Sequence, residues 1–337
     1  MNNRIKMKDI AEEAGVSIST VSRVLSGKTQ VNSATKNKIY AALNHLNTVN
    51  HDPTKTITNR NILVISANLS HLMHLKIIDA INETAEERGY RIIIEITNNR
   101  LLSFDELYER VTENNVCGVI VLALMAKFET LEEINKIVPV VYSSEVPENC
   151  QISFVGTRLY SAYKTMATYL VSQNRKHIGV LFPLRYVTND LLDAYMDVLK
   201  EAGIPYDSSL ILRPNNYDYF YISTLLNQFF STHPVIDAMI CEDDALALVA
   251  ISAARRNGLR VPEDIAILGF GSTFLSHVTS PRITSVDTSL DMIGLTLCNA
   301  LINHVEKNDH SPEYIYVDYH FTIQESTELL PESKSSR

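Results

Sequence analysis

The chain has 337 residues, 45% of them hydrophobic, four cysteines and a formal net charge of −9, which predicts two or three globular folding units rather than one core. A membrane span is excluded because the longest strongly apolar run, Val116 to Met125, is half the needed length, and no N-terminal export signal is present, so the expected location is the cytoplasm. Cys117, Cys150, Cys241 and Cys298 are dispersed without a C-x-x-C pair, which argues against a zinc site or a disulfide framework and predicts buried free thiols.

The charge is uneven along the chain. Residues 1–60 hold nine Lys/Arg against four Asp/Glu, a balance of +5 that leaves −14 for the remainder. A basic head on an acidic body suits a protein that attracts phosphate at one end.

Within that head, Lys8 to Leu25 reads as two short helices broken at Gly15, the pattern of a helix-turn-helix. Ser17 is placed to cap the second helix, and Gly15 supplies the permissive backbone that the turn needs. At 100° per residue from Ile18, Val21, Val24 and Leu25 fall between about 240° and 340°, whereas Ile18, Ser19, Ser22 and Arg23 fall between about 0° and 140°. One face packs and the other faces outward. A third helix spans roughly Ser33 to Leu46.

Residues 47–60 are polar and poor in large apolar side chains, which marks a linker. From Asn61 onward apolar runs alternate with amphipathic stretches: Ile62 to Ala67 and a helix to Arg88, Arg91 to Thr97, Phe104 to Asn114, Val116 to Leu124, and Val138 to Tyr142. A second series has strands at Ile178 to Phe182, Leu210 to Leu212, Ala238 to Cys241 and Ile265 to Leu268, separated by helical patterns near Leu159, Asp190, Tyr219 and Ala245. This predicts two doubly wound α/β lobes of parallel sheet, with ligands bound beyond the carboxyl ends of the strands.

The wording Met7-Lys8-Asp9-Ile10-Ala11, Ala14-Gly15-Val16-Ser17 and Ser19-Thr20-Val21-Ser22-Arg23-Val24-Leu25-Ser26-Gly27 closely resembles the LacI/GalR family of bacterial transcription regulators. The resemblance continues through Val31-Asn32-Ser33 and Thr35, and through Ala202-Gly203-Ile204, Gly258-Leu259-Arg260-Val261-Pro262-Glu263-Asp264-Ile265 and Leu268-Gly269-Phe270. It implies a small all-α head on a two-lobed core like that of periplasmic binding proteins. The expected domains are a DNA-binding head at 1–46, a hinge at 47–60 and an effector-binding and dimerisation core at 61–331. Its lobes would comprise 61–157 with 288–315, and 158–287 with 316–331, with the last strand near Tyr314 to Tyr319 returning toward the second lobe.

The resemblance further implies a repressor binding double-stranded DNA as a homodimer on a pseudo-palindromic operator, with a sugar or sugar derivative as effector and no cofactor, metal or membrane partner. Ile18, Ser19 and Arg23 take the positions that face base edges; Arg23 suits a guanine, and Ile18 either a thymine methyl or a half-buried packing site. Ser17, Thr20, Ser22, Asn32, Lys36 and Lys38 are placed for phosphates. The hinge departs from the family pattern, being about three residues short and lacking a Leu between Leu46 and Leu63. Asp52 and Pro53 are suited to starting one helical turn, which leaves Ile57 either as a minor-groove wedge or as part of an unstructured tether.

The cleft departs as well. Leu191 stands where family sugar binders carry Arg, Asp243 replaces an Asn, and Gly271-Ser272 replaces an acidic pair. Ser70-His71-Leu72-Met73-His74 replaces Ser-Asn-Pro-Phe-Phe. The candidate effector contacts are Ser70, His71, His74, Arg185, Asp190, Tyr217, Asp243 and Phe270. A metal at His71 and His74 is the sharper reading of that pair and lacks a supporting ligand cluster; Glu242-Asp243-Asp244 reads as a structural strand-end cluster rather than a catalytic one. The alternatives are control by a protein co-regulator or a non-sugar metabolite, and a solute-binding protein, which the N-terminal helix-turn-helix argues against.

Overall fold

The computed structural model describes residues 6–25, 32, 35, 38–39, 42, 60–68, 72–123, 125–147, 149–183, 190–215 and 217–328. It divides into two compact units, Met1–Asn59 and Arg60–Arg337.

In the first unit, α1 (Met7–Ala14) and α2 (Ile18–Leu25) pack together. The Asp9 carboxylate accepts the Lys6 N–H at 2.9 Å, satisfying a donor at the start of α1. Gly15, at φ +63°, ends α1, and the Val16 N–H turns back to the Ala11 carbonyl at 3.0 Å. The Ser17 hydroxyl then accepts the Thr20 N–H at 3.1 Å, capping α2 as its position suggests. Ile10, Ala11, Val21 and Val24 are buried, so the inward face of α2 is the expected one at the valines. Thr35, Lys38, Ile39 and Ala42 are helical, with Ile39 and Ala42 buried.

The second unit opens with β1 (Asn61–Ser66), α3 (Leu72–Glu87), β2 (Arg91–Ile96), α4 (Phe104–Glu113), β3 (Val116–Val121), α5 (Phe128–Asn135), β4 (Val140–Ser143) and β5 (Ser153–Gly156). It continues through α6 (Leu159–Ser172), β6 (Ile178–Leu181), α7 (Asp190–Glu201), β7 (Ile211–Leu212), α8 (Tyr219–Thr232), β8 (Ala238–Cys241), α9 (Asp244–Arg256), β9 (Ala266–Phe270), α10 (Phe274–Val278) and β10 (Thr284–Asp287). It closes with α11 (Leu290–Lys307), β11 (Tyr314–Tyr316) and β12 (His320–Thr322).

Two six-stranded sheets result, in the orders β11-β5-β4-β3-β1-β2 and β12-β10-β9-β8-β6-β7. Every neighbouring pair is parallel except β10 with β12. Both faces are covered, which is why the strands read as continuous apolar runs. In β1, Ile62 and Val64 join Ile77 and Ile81 of α3 and Leu297 and Leu301 of α11. Leu63 and Ile65 join Leu107 of α4 and Leu131 of α5 on the other face. The same division holds in β6, where Val180 packs with α6 and α7 and Leu181 with α8 and α9.

The chain passes between the lobes three times, after β5, after β10 and after β11. The last passage corrects the expectation of a single strand over Tyr314 to Tyr319. Tyr314–Tyr316 pairs with β5 in the first sheet, and only His320–Thr322 pairs with β10 in the second. Pairing to the first sheet ends where the Val317 N–H meets the Gly156 carbonyl at 2.8 Å.

Gly294 lets α11 lie close against α3. A Cβ there would stand 2.6 Å from the Ile77 carbonyl oxygen and 2.7 Å from Ala80 Cβ. Gly294→Val is therefore expected to cost about 1–3 kcal/mol by overpacking, read as a lower denaturation midpoint with an unchanged slope; an unaltered midpoint would disprove the close approach.

Candidate nucleic-acid interface and effector cavity

On α2, Ile18 is 50% exposed, and Ser17, Ser19 and Arg23 are exposed as well, whereas Thr20 and Ser22 are half-buried. The Ser17 hydroxyl lies 2.8 Å from that of Ser19 and 2.7 Å from that of Thr20. Arg23 Nε donates to the Ser19 carbonyl at 3.1 Å, tying the guanidinium to its own helix. That tether limits the conformations the side chain must give up on meeting a base. Asn32 and Lys38 are exposed. Lys36 and Ile57 lie outside the described residues.

The second unit contains a cavity of about 580 Å³. It takes residues from the carboxyl end of strand after strand: Ala67 and Asn68 after β1, Leu122 after β3, Ser144 after β4, Thr157 after β5, Phe182 after β6, Arg213 after β7, Glu242 after β8 and Thr288 after β10. The first turns of α3, α6, α7 and α11 add His74, Leu159, Leu191 and Leu290. This is the site that open parallel sheets ordinarily provide for a ligand.

Four candidate effector residues meet in this cavity: His74, Asp190, Tyr217 and Phe270. His74 is 8% exposed with Nδ1 3.2 Å from the Ser66 hydroxyl. Tyr217 donates its hydroxyl to Glu242, and Phe270 packs on Tyr163 with ring centroids 4.8 Å apart. Asp243 is a correction: it is buried, does not line the cavity, and accepts the Leu246 N–H at 2.7 Å as the cap of α9. Glu242, one position earlier, takes the cavity-facing place instead, because an N-cap side chain must turn back over its own helix. Ser70, His71 and Arg185 lie outside the described residues.

Arg213 was not foreseen. Its guanidinium sits over the Phe182 ring at 4.5 Å from the centroid, a cation–π contact at the cavity wall. A basic residue directly after a short apolar run was the available signal. Leu191, 5% exposed, lines the cavity as an apolar residue. Among the described residues no group of three His, Cys, Asp or Glu side chains is arranged to hold a metal, and no helix is long and apolar enough to cross a membrane.

Comparison with known proteins gives two family matches. Residues 6–49 match the model described as bacterial regulatory proteins, lacI family, and residues 167–327 match a periplasmic binding protein-like domain. The chain thus joins a lacI-family helix-turn-helix domain to a periplasmic binding protein-like domain.

Full-length relatives agree with that assignment. The transcriptional repressor CytR of Escherichia coli K12 is 26% identical over 334 residues, spanning 96% of this chain and 97% of the repressor. The regulator CelR of Thermobifida fusca is 25% identical over 339 residues, spanning 96% and 98%. Among solved structures, a CelR–cellobiose complex superposes with a TM-score of 0.70 at 22% identity, covering 96% of this chain and all of the other. The lac repressor dimer bound to operator and the anti-inducer ONPF gives 0.70 at 20% identity, covering 96% and 99%. The helix-turn-helix head on a two-lobed α/β core is the architecture of a DNA-binding transcriptional regulator, and the relatives found are transcriptional regulators.

Proposed function

We propose that this lacI-family regulator is a cytoplasmic repressor that binds a pseudo-palindromic operator as a homodimer and is controlled by a sugar or sugar derivative in the interlobe cavity. The observation that carries the reading is the division of α2 into a buried valine face and an exposed face bearing Ile18, Ser19 and Arg23. On this reading those three side chains meet base edges, and Ser17, Thr20, Ser22, Asn32, Lys36 and Lys38 meet phosphates. On this reading the domains are a head at 1–46, a hinge at 47–60 and a core at 61–331.

Exposed apolar side chains support dimerisation through the core. Leu75, Met292 and Leu295 lie on the packed pair α3 and α11, and Phe274 and Val278 are 62% and 69% exposed on α10. Such side chains are suited to burial against a second copy. Selection of operators from random DNA by the full-length chain tests the reading: enriched sites with two inverted half-sites are expected, and enrichment of no sequence would sink it.

Effector control follows the linkage rule that a ligand acts through its difference in affinity between two states. A bound effector at about 100 times its dissociation constant adds roughly 2.7 kcal/mol of stability. Thermal unfolding against mono- and disaccharides, sugar phosphates and nucleosides is therefore expected to single out one class by a raised midpoint. The solved CelR structure is a complex with cellobiose, which belongs in that panel. Leu159, Leu191, Leu290 and Ile293 make the walls more apolar than a sugar requires, which favours a second reading in which the effector is a non-sugar metabolite; a flat response to every sugar with a shift by an aromatic metabolite would select it. For Ile57, an unchanged operator affinity and DNA bend in Ile57→Ala selects the tether over the wedge.

A further inference from the structure

Thr157 and Thr288 are 3% and 2% exposed, both line the cavity, and among the described residues neither hydroxyl oxygen has a hydrogen-bond partner. Buried hydroxyls are ordinarily satisfied, so a pair of unmade bonds in the wall of one cavity calls for an explanation. The two residues occupy related places in the fold. Thr157 directly follows β5 and Thr288 directly follows β10, so each stands at the start of one passage between the lobes.

The surroundings restrict what a partner can be. Two residues further along each passage, Leu159 and Leu290 also line the cavity, and an ionised group set among them would lose hydration without an opposite charge. The charged cavity side chains, Asp190, Arg213 and Glu242, all come from the second lobe. A threonine hydroxyl offers one donor and two acceptor sites. A neutral alcohol is complementary to either threonine, since it too both donates and accepts. A turn of χ1 between staggered positions exchanges hydroxyl and methyl, so contact needs no backbone movement.

We propose that Thr157 and Thr288 together form an effector subsite for a neutral, hydroxyl-bearing group. The assignment rests on the cavity being the effector site and deepens that reading. A ligand bonded to both threonines joins two of the three interlobe passages, so its binding bears directly on how the lobes move.

The test uses the full-length chain with Thr157→Val, Thr288→Val and the double variant, each melted alone and with D-glucose, cellobiose or adenosine at millimolar concentration. Valine keeps the side-chain shape and removes an unpartnered hydroxyl, so the unliganded melting temperature of each variant is expected to hold or rise. At least one probe is expected to raise the melting temperature of the wild-type chain and to bind each single variant about tenfold more weakly. Equal binding of that probe to wild type and variants would overturn the subsite and leave the effector cavity standing. A lower unliganded melting temperature in the valine variants would also overturn it, since the hydroxyls would then already be partnered. No response of the wild-type chain to any probe would overturn the reading of the cavity as a site for hydroxylated effectors, and this assignment with it.

Discussion

Arg23→Ala is expected to weaken binding to a selected operator by about 5- to 150-fold, the equivalent of losing one bidentate arginine–guanine contact worth about 1–3 kcal/mol. Arg23 sits on the exposed face of α2 with its Nε held by the Ser19 carbonyl, so removing it subtracts a specific contact without opening the buried face formed by Val21 and Val24. The loss should be largest on operators with guanine at the contacted position and small on random DNA. Lys38→Ala provides the contrast: a phosphate contact weakens all sequences alike and reduces the salt slope by about one charge. Gel-shift titrations on the selected site and on single-base variants decide between them. Equal losses on every sequence in Arg23→Ala would make Arg23 a phosphate contact instead.

The largest stability effect is expected at Asp244. This side chain is fully buried and accepts three hydrogen bonds, from the Thr273 N–H at 2.6 Å, the Thr273 hydroxyl at 2.8 Å and the Ser285 hydroxyl at 2.7 Å. It thereby ties α9 to the loop after β9 and to β10. Its carboxylate also occupies the space beside Gly269, where a Cβ would meet Oδ1 at 2.4 Å. Alanine would leave a cavity and three unpartnered donors, costing about 3 kcal/mol or more. A denaturation midpoint within error of wild type would remove Asp244 from the framework of the second lobe.

The same residue makes a signed prediction about pH. Burial raises the Asp244 pKa above its ordinary value, with the hydrogen bonds from Ser285 and Thr273 opposing the shift. Folding therefore favours the protonated form in the window between the ordinary and the folded values. That contribution is fully present below about pH 4 and is lost as pH rises through the folded value. The stability of wild type relative to Asp244→Asn, which does not titrate, is expected to fall over that window. A difference that grows with pH would mean that the hydrogen bonds outweigh desolvation.

The head was legible because its signals are local. Gly15 at the turn, Ser17 at the cap and Val21 and Val24 at helical spacing each act within a few residues of themselves. Most core strands were legible for the same reason, since a run such as Ile62 to Ile65 is buried on both faces and reads as continuous apolar sequence. Strands β5 and β10 escaped notice because Ser-Phe-Val-Gly and Thr-Ser-Val-Asp are short and half polar. Apart from Asp287 they are nonetheless buried, with Ser285 and Thr284 satisfied by Asp244 and by Gln324 and Thr327, partners that lie some 40 residues away or more and leave no local trace.

The cavity shows the limit most clearly. His74, Asp190, Tyr217 and Phe270 were placed by position alone, whereas the exchange of Asp243 for Glu242 turns on which of two adjacent acids bends back to cap α9. Arg213 faces the cavity because a two-residue strand ends immediately before it. The amino-acid sequence by itself determined the helix-turn-helix head, the basic and acidic division of the chain and the parallel α/β class, because capping, periodicity and charge are properties of neighbouring residues. Only the tertiary structure decided which strand-end side chains share one cavity, where the last strand divides between the sheets and which two threonines of the cavity wall have no partner among the described residues. Those outcomes bring together segments far apart in the chain, as Ala67 and Ile293 are in the cavity wall, and no local pattern encodes them.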